Sequence, residues 1–395
     1  MDGEKILMFL GYYYPSIGGV QKTVSELSSR LIALGYEITI ITCNTENVTT
    51  FERVGNLEII RLPCWNILNR TYPIPKPTFL SMKILSVVIK TKFNLIITHT
   101  RFYPLCFTGL LIAKIKKIPL IHTEHGSQHT VSKNYLVSLI GRIYDHSIGF
   151  LIVRFSNQNI CISYKTDGFV KHLGAKKSIV IHNGIDLSDY TYLSKKNIKS
   201  LNDALIITYL GRLIYSKGIQ DIISIIPEIN KKIKLLIIGE GSYRSELERL
   251  SHITGQNKIE FLGERNYKDI PQILANTDIF VNPSYSEGLP TSVLEACAAG
   301  CAVVATDVGG TNEIVHDQVT GFLIHPGNRQ ELVEKINFLI EDRVIRDTLG
   351  KKAKEYIINN FSWDQIIWRW VIEINHLCND DVEFDKENTE KMKHL

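Results

Sequence analysis

Short apolar segments alternate with amphipathic segments along nearly the whole chain. In the first half, apolar segments predict strands at 5–10, 37–42, 58–62, 94–98, 120–123, 159–162 and 178–181. In the second half they predict strands at 205–210, 234–238, 258–262, 278–281, 302–306 and 321–324. Amphipathic segments at helical spacing fill the intervals, as between the first two strands, where Gly35 follows the last apolar position. Strands that are apolar on both faces and separated by helices predict parallel sheets covered on both sides.

A polar stretch at 191–203, rich in Lys, Asn and Ser, interrupts this alternation and is predicted to be a linker. We therefore expect an α/β protein with two doubly wound Rossmann-like domains, residues 1–190 and 204–360, facing each other across a cleft. The 395 residues suffice for two domains with separate cores. Segment 361–378 carries three tryptophans at helical spacing and is predicted to pack back on the first domain, whereas 379–395 is predicted to be a flexible tail.

Composition excludes several classes of protein. With 44% hydrophobic and 22% charged residues, the chain is neither disordered nor collagen-like. The apolar stretch 135–155 contains four charged or polar interruptions, which favours a buried or interfacial helix over a membrane span. These are Arg142, Asp145, His146 and Arg154. The short acidic start predicts a first strand rather than a secretion signal. Seven cysteines without a C-x-x-C pair predict reduced thiols, a cytoplasmic setting and no structural zinc.

The charge is unevenly distributed. The net charge is +4, but residues 1–190 contain 21 Lys and Arg against 12 Asp and Glu, whereas the remainder contains 24 against 29. A basic first half suits an anionic partner or an anionic membrane face. A solvated surface with a chance asymmetry explains the same counts equally well.

Two acids accompany a predicted strand-to-helix turn in the second domain. Glu287, Gly288, Leu289 and Pro290 lead into a helix, and Glu295 lies eight residues after Glu287. A helix N-terminus favours anions, so acids there suggest a further task, such as accepting hydrogen bonds from the hydroxyls of a sugar nucleotide. The alternative is that both acids only stabilise the helix dipole.

Two cations and two glycines indicate a phosphate site. Arg212 leaves the end of a strand and Lys217 precedes a helix, an arrangement that suits a diphosphate. Each cation alone could equally be a solvated surface charge. Gly18 and Gly19, between the first strand and the first helix, would allow the backbone to approach a phosphate closely.

A histidine ends a predicted strand at the same edge of the first sheet. His125 could donate a hydrogen bond to a phosphate or a sugar hydroxyl. His122 and His125 would not converge on a metal ion without further ligands, so we predict no metal site. The turn after the strand at 234–238 lacks the third glycine of a dinucleotide-binding loop, which argues against a dehydrogenase.

Together these segments resemble the family-4 retaining glycosyltransferases of the GT-B fold. The matching segments run in order through residues 5–375: 18–20, 125–126, 183–186, 211–213, 217–218, 261–263, 283–296 and 309–313. The resemblance implies transfer of a sugar from a nucleotide-diphosphate donor with retention of the anomeric configuration. It also implies that neither a bound metal nor another cofactor is needed.

The resemblance assigns roles residue by residue. Glu295 would hold the ribose hydroxyls, Glu287 the donor sugar, and Arg212 and Lys217 the diphosphate opposite the Gly19 amide. His125 would lie near the reacting centre, and 261–263 would border the base pocket. The implied donor-binding residues are Gly18, Gly19, Arg212, Lys217, Leu262, Gly263, Glu287, Gly288, Leu289, Pro290 and Glu295. The implied catalytic residues are His125, Arg212, Lys217 and Glu287.

The implied function is transfer from a UDP- or GDP-sugar to a glycan or polyprenyl-diphosphate-linked acceptor held by the first domain. The family suggests a role in bacterial lipopolysaccharide O-antigen, capsule or exopolysaccharide synthesis, in the cytoplasm or peripherally on the inner face of an anionic membrane. No nucleic-acid partner is expected. Two alternatives remain: a sugar-nucleotide 2-epimerase of the same fold, which predicts further acids or histidines in the first domain, and a non-catalytic sugar-nucleotide-binding protein.

Overall fold

The computed structural model describes residues 4–16, 18–67, 72–130, 135–191, 204–229, 231–254 and 258–378. All of the predicted linker except Thr191, and the whole predicted tail 379–395, lie outside the described residues.

The first domain is built on an eight-stranded sheet with the order β10-β9-β8-β7-β1-β2-β4-β3, accompanied by the hairpin β5-β6. Its strands are β1 (Lys5–Leu10), β2 (Glu37–Cys43), β3 (Phe51–Val54), β4 (Leu57–Leu62), β5 (Cys64–Ile67), β6 (Tyr72–Pro75), β7 (Leu95–His99), β8 (Leu120–Glu124), β9 (Gln158–Cys161) and β10 (Ser178–Val180). Its helices are α1 (Gly19–Ala33), α2 (Phe79–Lys90), α3 (Pro104–Lys116), α4 (Tyr135–Tyr144), α5 (Phe150–Phe155), α6 (Tyr164–His172) and α7 (Ser188–Thr191).

The second domain is built on a six-stranded parallel sheet with the order β13-β12-β11-β14-β15-β16. Its strands are β11 (Leu205–Leu210), β12 (Ile233–Ile238), β13 (Ile259–Gly263), β14 (Ile279–Asn282), β15 (Ala302–Thr306) and β16 (Phe322–Ile324). The helices that follow are α8 (Ile219–Ile225), α9 (Arg244–Thr254), α10 (Ile270–Ala275), α11 (Thr291–Ala298), α12 (Thr311–Ile314), α13 (Arg329–Glu341), α14 (Arg343–Asn360) and α15 (Trp363–Cys378).

The predicted strands are confirmed, with ends that shift by at most one residue. The prediction of a parallel first sheet was wrong at one edge, where β3 pairs antiparallel with β4. All four residues of β3 are exposed, so its sequence lacks the apolar run that marks the inner strands. The hairpin β5-β6 was also not predicted, since a two-stranded hairpin away from the core needs little apolar periodicity.

The C-terminal helix α15 packs on the first domain although it follows the second. Trp363 and Trp370 are almost fully buried in one cluster with Val24 and Leu27 of α1. The chain crosses between the domains beside Ile185, whose amide donates to the Phe361 carbonyl at 2.8 Å. Hydrogen bonds between Ile185 and residues 361 and 363 therefore connect the two domains.

The apolar stretch Tyr135–Phe155 is helical throughout, and residues Asp145–Gly149 within it form a π turn. By length and composition alone it could cross a membrane. Its second half, however, lies in the protein: Asp145 is fully buried against Arg101, and Ile152 is fully buried in the core below the sheet. Its first half, α4, is a surface helix that exposes Ile140 and Ile143 by 65% and 60%.

The topology determines where a ligand can bind. The strand order reverses direction between β1 and β7 in the first sheet and between β11 and β14 in the second. Ligands of doubly wound sheets bind beyond the carboxyl ends of the strands at such switch points. The loops after β1, β7, β11 and β14 are therefore the ones expected to form a site.

Candidate functional site

The loop after β14 carries a carboxylate that is held by a cation from the loop after β11. Lys217 lies 2.6 Å from Oε1 of Glu287, and the side chains are 20% and 8% exposed. The Ser284 hydroxyl donates to the same carboxylate oxygen at 2.7 Å. The switch point of the second sheet thus presents a carboxylate and an ammonium group that form an ion pair.

The second predicted cation lies beside a cavity of about 280 Å³ between the domains. Arg212 is exposed and lines this cavity together with Gly18, Gly19 and Gly241. Within the described ranges, Arg212 makes no ion pair. Gly19 begins α1, a helix of 15 residues with no acid in its first turn. An unpaired guanidinium facing the amide end of a long helix favours an anionic ligand in this cavity.

The other predicted acid contacts a different partner. Oε1 of Glu295 lies 2.8 Å from Nζ of Lys22 in α1, and this ion pair links the two domains. Lys22 also contacts the Tyr267 hydroxyl. Burial alone would lower the pKa of Lys22, but Glu295 and Tyr267 raise it above its ordinary value. The structure records no contact between Glu295 and Glu287 among the described residues, so each acid belongs to its own set of partners.

The remaining predicted donor residues lie at the end of β13 and in the turn before α11, and none of them lines the 280 Å³ cavity. Leu262 and Gly263 end β13, and the Gly263 carbonyl accepts from the Gly239 amide at 2.9 Å, two residues before the cavity-lining Gly241. Leu289 is buried at 4% exposure. Pro290 is the residue before α11, and its carbonyl accepts from the amides of residues 293 and 294. Pro290 thus starts the helix that carries Glu295.

His125 begins the loop after β8 and rests on a buried polar network. Its amide and that of Gly126 donate to Oε1 of Glu124 at 2.9 and 2.8 Å. Its Nε2 lies 3.3 Å from Nδ1 of His99, which is fully buried at the end of β7. Burial lowers the pKa of His125 to about 4, so its imidazole is neutral at physiological pH. A neutral ring that meets His99 through Nε2 keeps Nδ1 for another partner.

The carboxylate below His125 is charged and fully enclosed. Burial alone would raise the pKa of Glu124, but Arg101 and His122 lower it well below its usual range. Arg101 lies 2.9 Å from Glu124 and also 2.9 Å from Asp145, so it bridges two buried acids. His122 is fully buried between Thr98 and Glu124. His122 therefore belongs to the core, and the turn at His125 is held rigidly from below.

The two domains touch at the site itself. A Cβ atom added to Gly288 would lie 2.0 Å from the His125 carbonyl oxygen. The Ser127 hydroxyl donates to the Glu287 carbonyl. Behind this contact, the Gly310 amide donates to the Gly288 carbonyl at 2.7 Å, so the glycine pair at 309–310 supports the acidic turn and does not face the cavity. The structure thus brings His125, Glu287 and Lys217 to one junction between the domains.

Several residues of this junction escaped sequence reasoning. Lys22 lies within an ordinary amphipathic helix, and the pairing with Glu295 spans 273 positions. His99 ends the short apolar strand β7 and Arg101 follows it, and neither belongs to a motif of its own. The only available signal was their position after a predicted strand, since all carboxyl ends of a parallel sheet share one edge. Ser127, two residues after His125, could have been found in the same way.

Comparison with known proteins gives the class of this architecture. Two facing Rossmann-like domains with the site between them define the GT-B glycosyltransferases. Residues 17–189 match the model for glycosyltransferase family 4, and residues 193–356 match the model for glycosyl transferases group 1. The chain belongs to this family, the family-4 glycosyltransferases, and is a transferase of the GT-B type.

Individual relatives agree with this assignment. An uncharacterized glycosyltransferase of Methanocaldococcus jannaschii is 30% identical over 392 residues, which cover 95% of this chain and 99% of the relative. The N,N'-diacetylbacillosaminyl-diphospho-undecaprenol alpha-1,3-N-acetylgalactosaminyltransferase of Campylobacter jejuni is 30% identical over 260 residues, covering 62% of this chain and 68% of the relative.

Solved structures share the fold at lower identity. Sucrose-phosphate synthase from Thermosynechococcus elongatus has a TM-score of 0.79 at 20% identity, covering 96% of this chain and all of that one. Anabaena HepE in complex with UDP-glucose has a TM-score of 0.74 at 22% identity, covering 94% of this chain and all of that one. At these identities the likeness concerns the fold.

Proposed function

We propose that this protein transfers a sugar from a UDP- or GDP-sugar to a glycan or polyprenyl-diphosphate-linked acceptor, with retention of the anomeric configuration. The observation that carries the proposal is the arrangement of Arg212 and the amide end of α1 around the cavity, next to the Lys217–Glu287 pair. This arrangement suits a diphosphate beside a hydroxyl-rich group. The Anabaena relative, whose structure was solved with UDP-glucose, supports a nucleotide-sugar donor.

In this proposal the donor lies across the junction. The diphosphate binds between Arg212, Lys217 and the Gly19 amide, and the Glu287 carboxylate accepts hydrogen bonds from sugar hydroxyls. Arg212 and Lys217 stabilise the negative charge that develops on the diphosphate as the glycosidic bond to the sugar breaks. Because these cations neutralise the leaving group, we expect transfer to persist in EDTA. His125, neutral and rigid, lies at the sugar side of the same junction.

Retention is proposed to follow from attack on the same face that the diphosphate leaves. The acceptor hydroxyl oxygen bonds to the anomeric carbon, the carbon–oxygen bond to the diphosphate breaks, and the hydroxyl proton passes to the departing phosphate oxygen. The two cleft carboxylates, Glu287 and Glu295, are each engaged by a lysine, and the buried Glu124 is engaged by Arg101. Because these acids already form ion pairs, we propose that positioning and charge stabilisation supply the catalysis, without a covalent enzyme intermediate.

The acceptor is proposed to be carried at a membrane. Leu136, Ile140 and Ile143 lie on one face of α4 at helical spacing, and each is at least 60% exposed. An apolar helix face on a basic domain suits an anionic lipid surface. The Campylobacter relative acts, by its name, on a sugar linked to undecaprenol through a diphosphate, which supports a lipid-linked acceptor. A surface-polysaccharide pathway on the cytoplasmic side is part of the same proposal.

The epimerase alternative predicted additional acids or histidines in the first domain, and the structure contains them in His99, His122 and Glu124. His122, however, hydrogen-bonds to Glu124, Glu124 pairs with Arg101, and Nδ1 of His99 lies 3.3 Å from Nε2 of His125. A general base needs a lone pair directed at substrate. This network therefore supports a role in holding His125 rather than a second catalytic centre.

The proposal is tested by assaying the purified protein with UDP- and GDP-sugars, with and without a polyprenyl-diphosphate-linked acceptor. We expect acceptor-dependent product whose anomeric configuration, read by NMR, matches the donor. Lys217→Met should lower kcat/KM by about 10²–10³-fold, since it removes a stabilising charge at the leaving group. Lys171→Met is the matched control, because Lys171 forms a surface ion pair of similar length, 2.7 Å, on α6.

Three results would contradict the proposal. Epimerised donor without acceptor would favour the epimerase, and saturable donor binding without any turnover would favour the non-catalytic binder. Lys217→Met and Lys171→Met enzymes of equal activity would show that the Lys217–Glu287 pair does not contact the leaving group.

Membrane association has its own test. The double variant Ile140→Glu, Ile143→Glu should lose flotation with phosphatidylglycerol vesicles, because moving charged side chains into the lipid interface is energetically unfavourable. Val344→Glu, a 76% exposed apolar position in α14, is the control and should float like the wild type. Flotation that is unchanged in the double variant would exclude α4 as the contact.

A further inference from the structure

Three histidines from separate elements converge on the surface of the first domain, outside the donor cleft. His129 lies in the loop after β8, His146 in the π turn and His172 at the end of α6. One ring nitrogen from each lies within 4.8 Å of the others. The ring centroids are 5.2, 5.7 and 6.2 Å apart. Nothing in the sugar-transfer chemistry proposed above uses these side chains.

A buried carboxylate orients one of the three rings. Nδ1 of His129 donates to Oδ2 of Asp145 at 2.7 Å, which leaves Nε2 as the ligand atom. Asp145 is fully buried and is itself fixed by Arg101, whose Nε donates to it at 2.9 Å. Histidine ligands of metal ions typically donate their second ring N–H to such a carboxylate, which fixes the tautomer and the ring orientation.

The local backbone and packing also suit a site. The π turn places Asp145 inward and the adjacent His146 outward, and π turns within helices are frequent at functional positions. The rings of Phe169 and His129 pack edge to face with their centroids 5.1 Å apart, so one side of the cluster is apolar. His146 and His172 are exposed, so their rings have room to turn and an ion can enter from solvent.

The donor set selects the kind of ion. Three imidazoles suit Zn²⁺, Cu²⁺ or Ni²⁺, whereas Mg²⁺ and Ca²⁺ prefer oxygen ligands. Bonds of about 2.1 Å in a tetrahedral zinc site place the nitrogens about 3.4 Å apart. The present separations of at most 4.8 Å close to that value by small rotations of the two exposed rings. Three protein ligands would leave the fourth position for water.

We propose that His129, His146 and His172 bind one transition-metal ion, such as Zn²⁺, on the outer surface of the first domain. The ion ties the loop after β8 to the π turn and to α6. That loop also carries His125 and Ser127, which contact the acidic turn of the second domain. The ion therefore holds the loop that forms the first domain's side of the junction, while remaining outside the donor cavity.

The test uses the full-length, tag-free protein after dialysis against EDTA, titrated with Co²⁺ and then with Zn²⁺. We expect one equivalent of Co²⁺ to give the intense visible bands of tetrahedral cobalt, and Zn²⁺ to displace it. His146→Ala and His172→Gln should each weaken Zn²⁺ binding by at least about tenfold. Both positions are exposed, so both variants should fold, which unchanged circular dichroism verifies. His252→Ala on the exposed surface of α9 is the control and should bind like the wild type.

A second measurement follows the loop directly. Amide hydrogen exchange across residues 126–130 should slow when one equivalent of Zn²⁺ is added to the wild type, and not in the His146→Ala variant. The proposal is overturned if cobalt shows no tetrahedral bands, if the His146 and His172 variants bind as tightly as the wild type, or if the His252 variant loses binding to the same extent. Equal exchange of the loop with and without the ion would overturn its tethering role.

Discussion

Gly288 lies at a close contact between the two domains, and replacing it with alanine tests whether this contact belongs to the transferring state. Its backbone is outside the left-handed region, so alanine can adopt the same conformation. The new Cβ, however, would lie 2.0 Å from the His125 carbonyl oxygen and 2.9 Å from Cδ1 of Ile162, both in the first domain. The cost therefore falls on domain closure and not on the folding of either domain.

The magnitude follows from the distances. Cβ contacts below 3.0 Å are essentially never observed, so the variant must open the junction by at least about 1 Å. A misplacement of about 1 Å at a reacting centre costs about 10²-fold in rate. This corresponds to about 2.7 kcal/mol of lost transition-state stabilisation. We expect kcat/KM of Gly288→Ala to fall by that factor, with an unchanged melting temperature.

The assay is acceptor-dependent sugar transfer measured with the wild type, Gly288→Ala and a control. Gly168→Ala on α6 is the matched control, because no atom lies within 4 Å of its added Cβ. The control should retain full activity. If Gly288→Ala keeps its kcat/KM within threefold of the wild type, the approach of Gly288 to His125 is not part of the transferring state and the reasoning fails.

Three further predictions concern the same junction. Ser127→Ala removes the hydroxyl that donates to the Glu287 carbonyl, worth about 1 kcal/mol, so kcat/KM should fall roughly fivefold in the same assay; an unchanged value would contradict it. Lys22→Met leaves Glu295 unpaired at the domain boundary, so the variant should melt lower, and adding Glu295→Gln should restore part of the loss; additive effects would exclude coupling. The folded His125 has a pKa of about 4 against about 6.5 when unfolded, so below pH 6.5 the unfolded state binds the extra proton. The unfolding free energy from urea titrations should therefore fall by up to about 3 kcal/mol between pH 6.5 and 4, and less in His125→Asn; equal slopes for both proteins would contradict this.

Much of the fold could be predicted from the sequence, because the spacing of apolar residues indicates which positions are buried. The inner strands β1, β7 and β11 are buried on both faces, so they appear as continuous apolar runs. The edge strand β3 and the hairpin β5-β6 gain little from burial, and their sequences carry no comparable pattern. The ends of several strands differ from the predicted ends by one residue, because strand ends are set by local hydrogen bonding, which periodicity does not encode.

Site residues could be predicted from the sequence only where they lie in a local motif. Glu287, Lys217 and Arg212 follow strands in recognisable turns, and they do lie at the cleft edge of the second sheet. Their partners across the domain boundary have no such mark, since the contact of Gly288 with His125 depends on how two separately folded domains meet. Pairings like Lys22 with Glu295, 273 positions apart, follow from that docking geometry and not from either local sequence.

The two acids that the sequence presented as a pair perform separate tasks in the structure. Glu287 is fixed by Lys217 within the second domain, whereas Glu295 reaches Lys22 in the first. A carboxylate offers about four acceptor sites on two oxygens, and Lys22 engages only Oε1 of Glu295. The space beside Glu295 is only about 10 Å³, however, so ribose hydroxyls would reach this carboxylate only when the domains separate there. On this basis, nucleotide binding at Glu295 and opening of the Lys22 bridge would be coupled through one side chain.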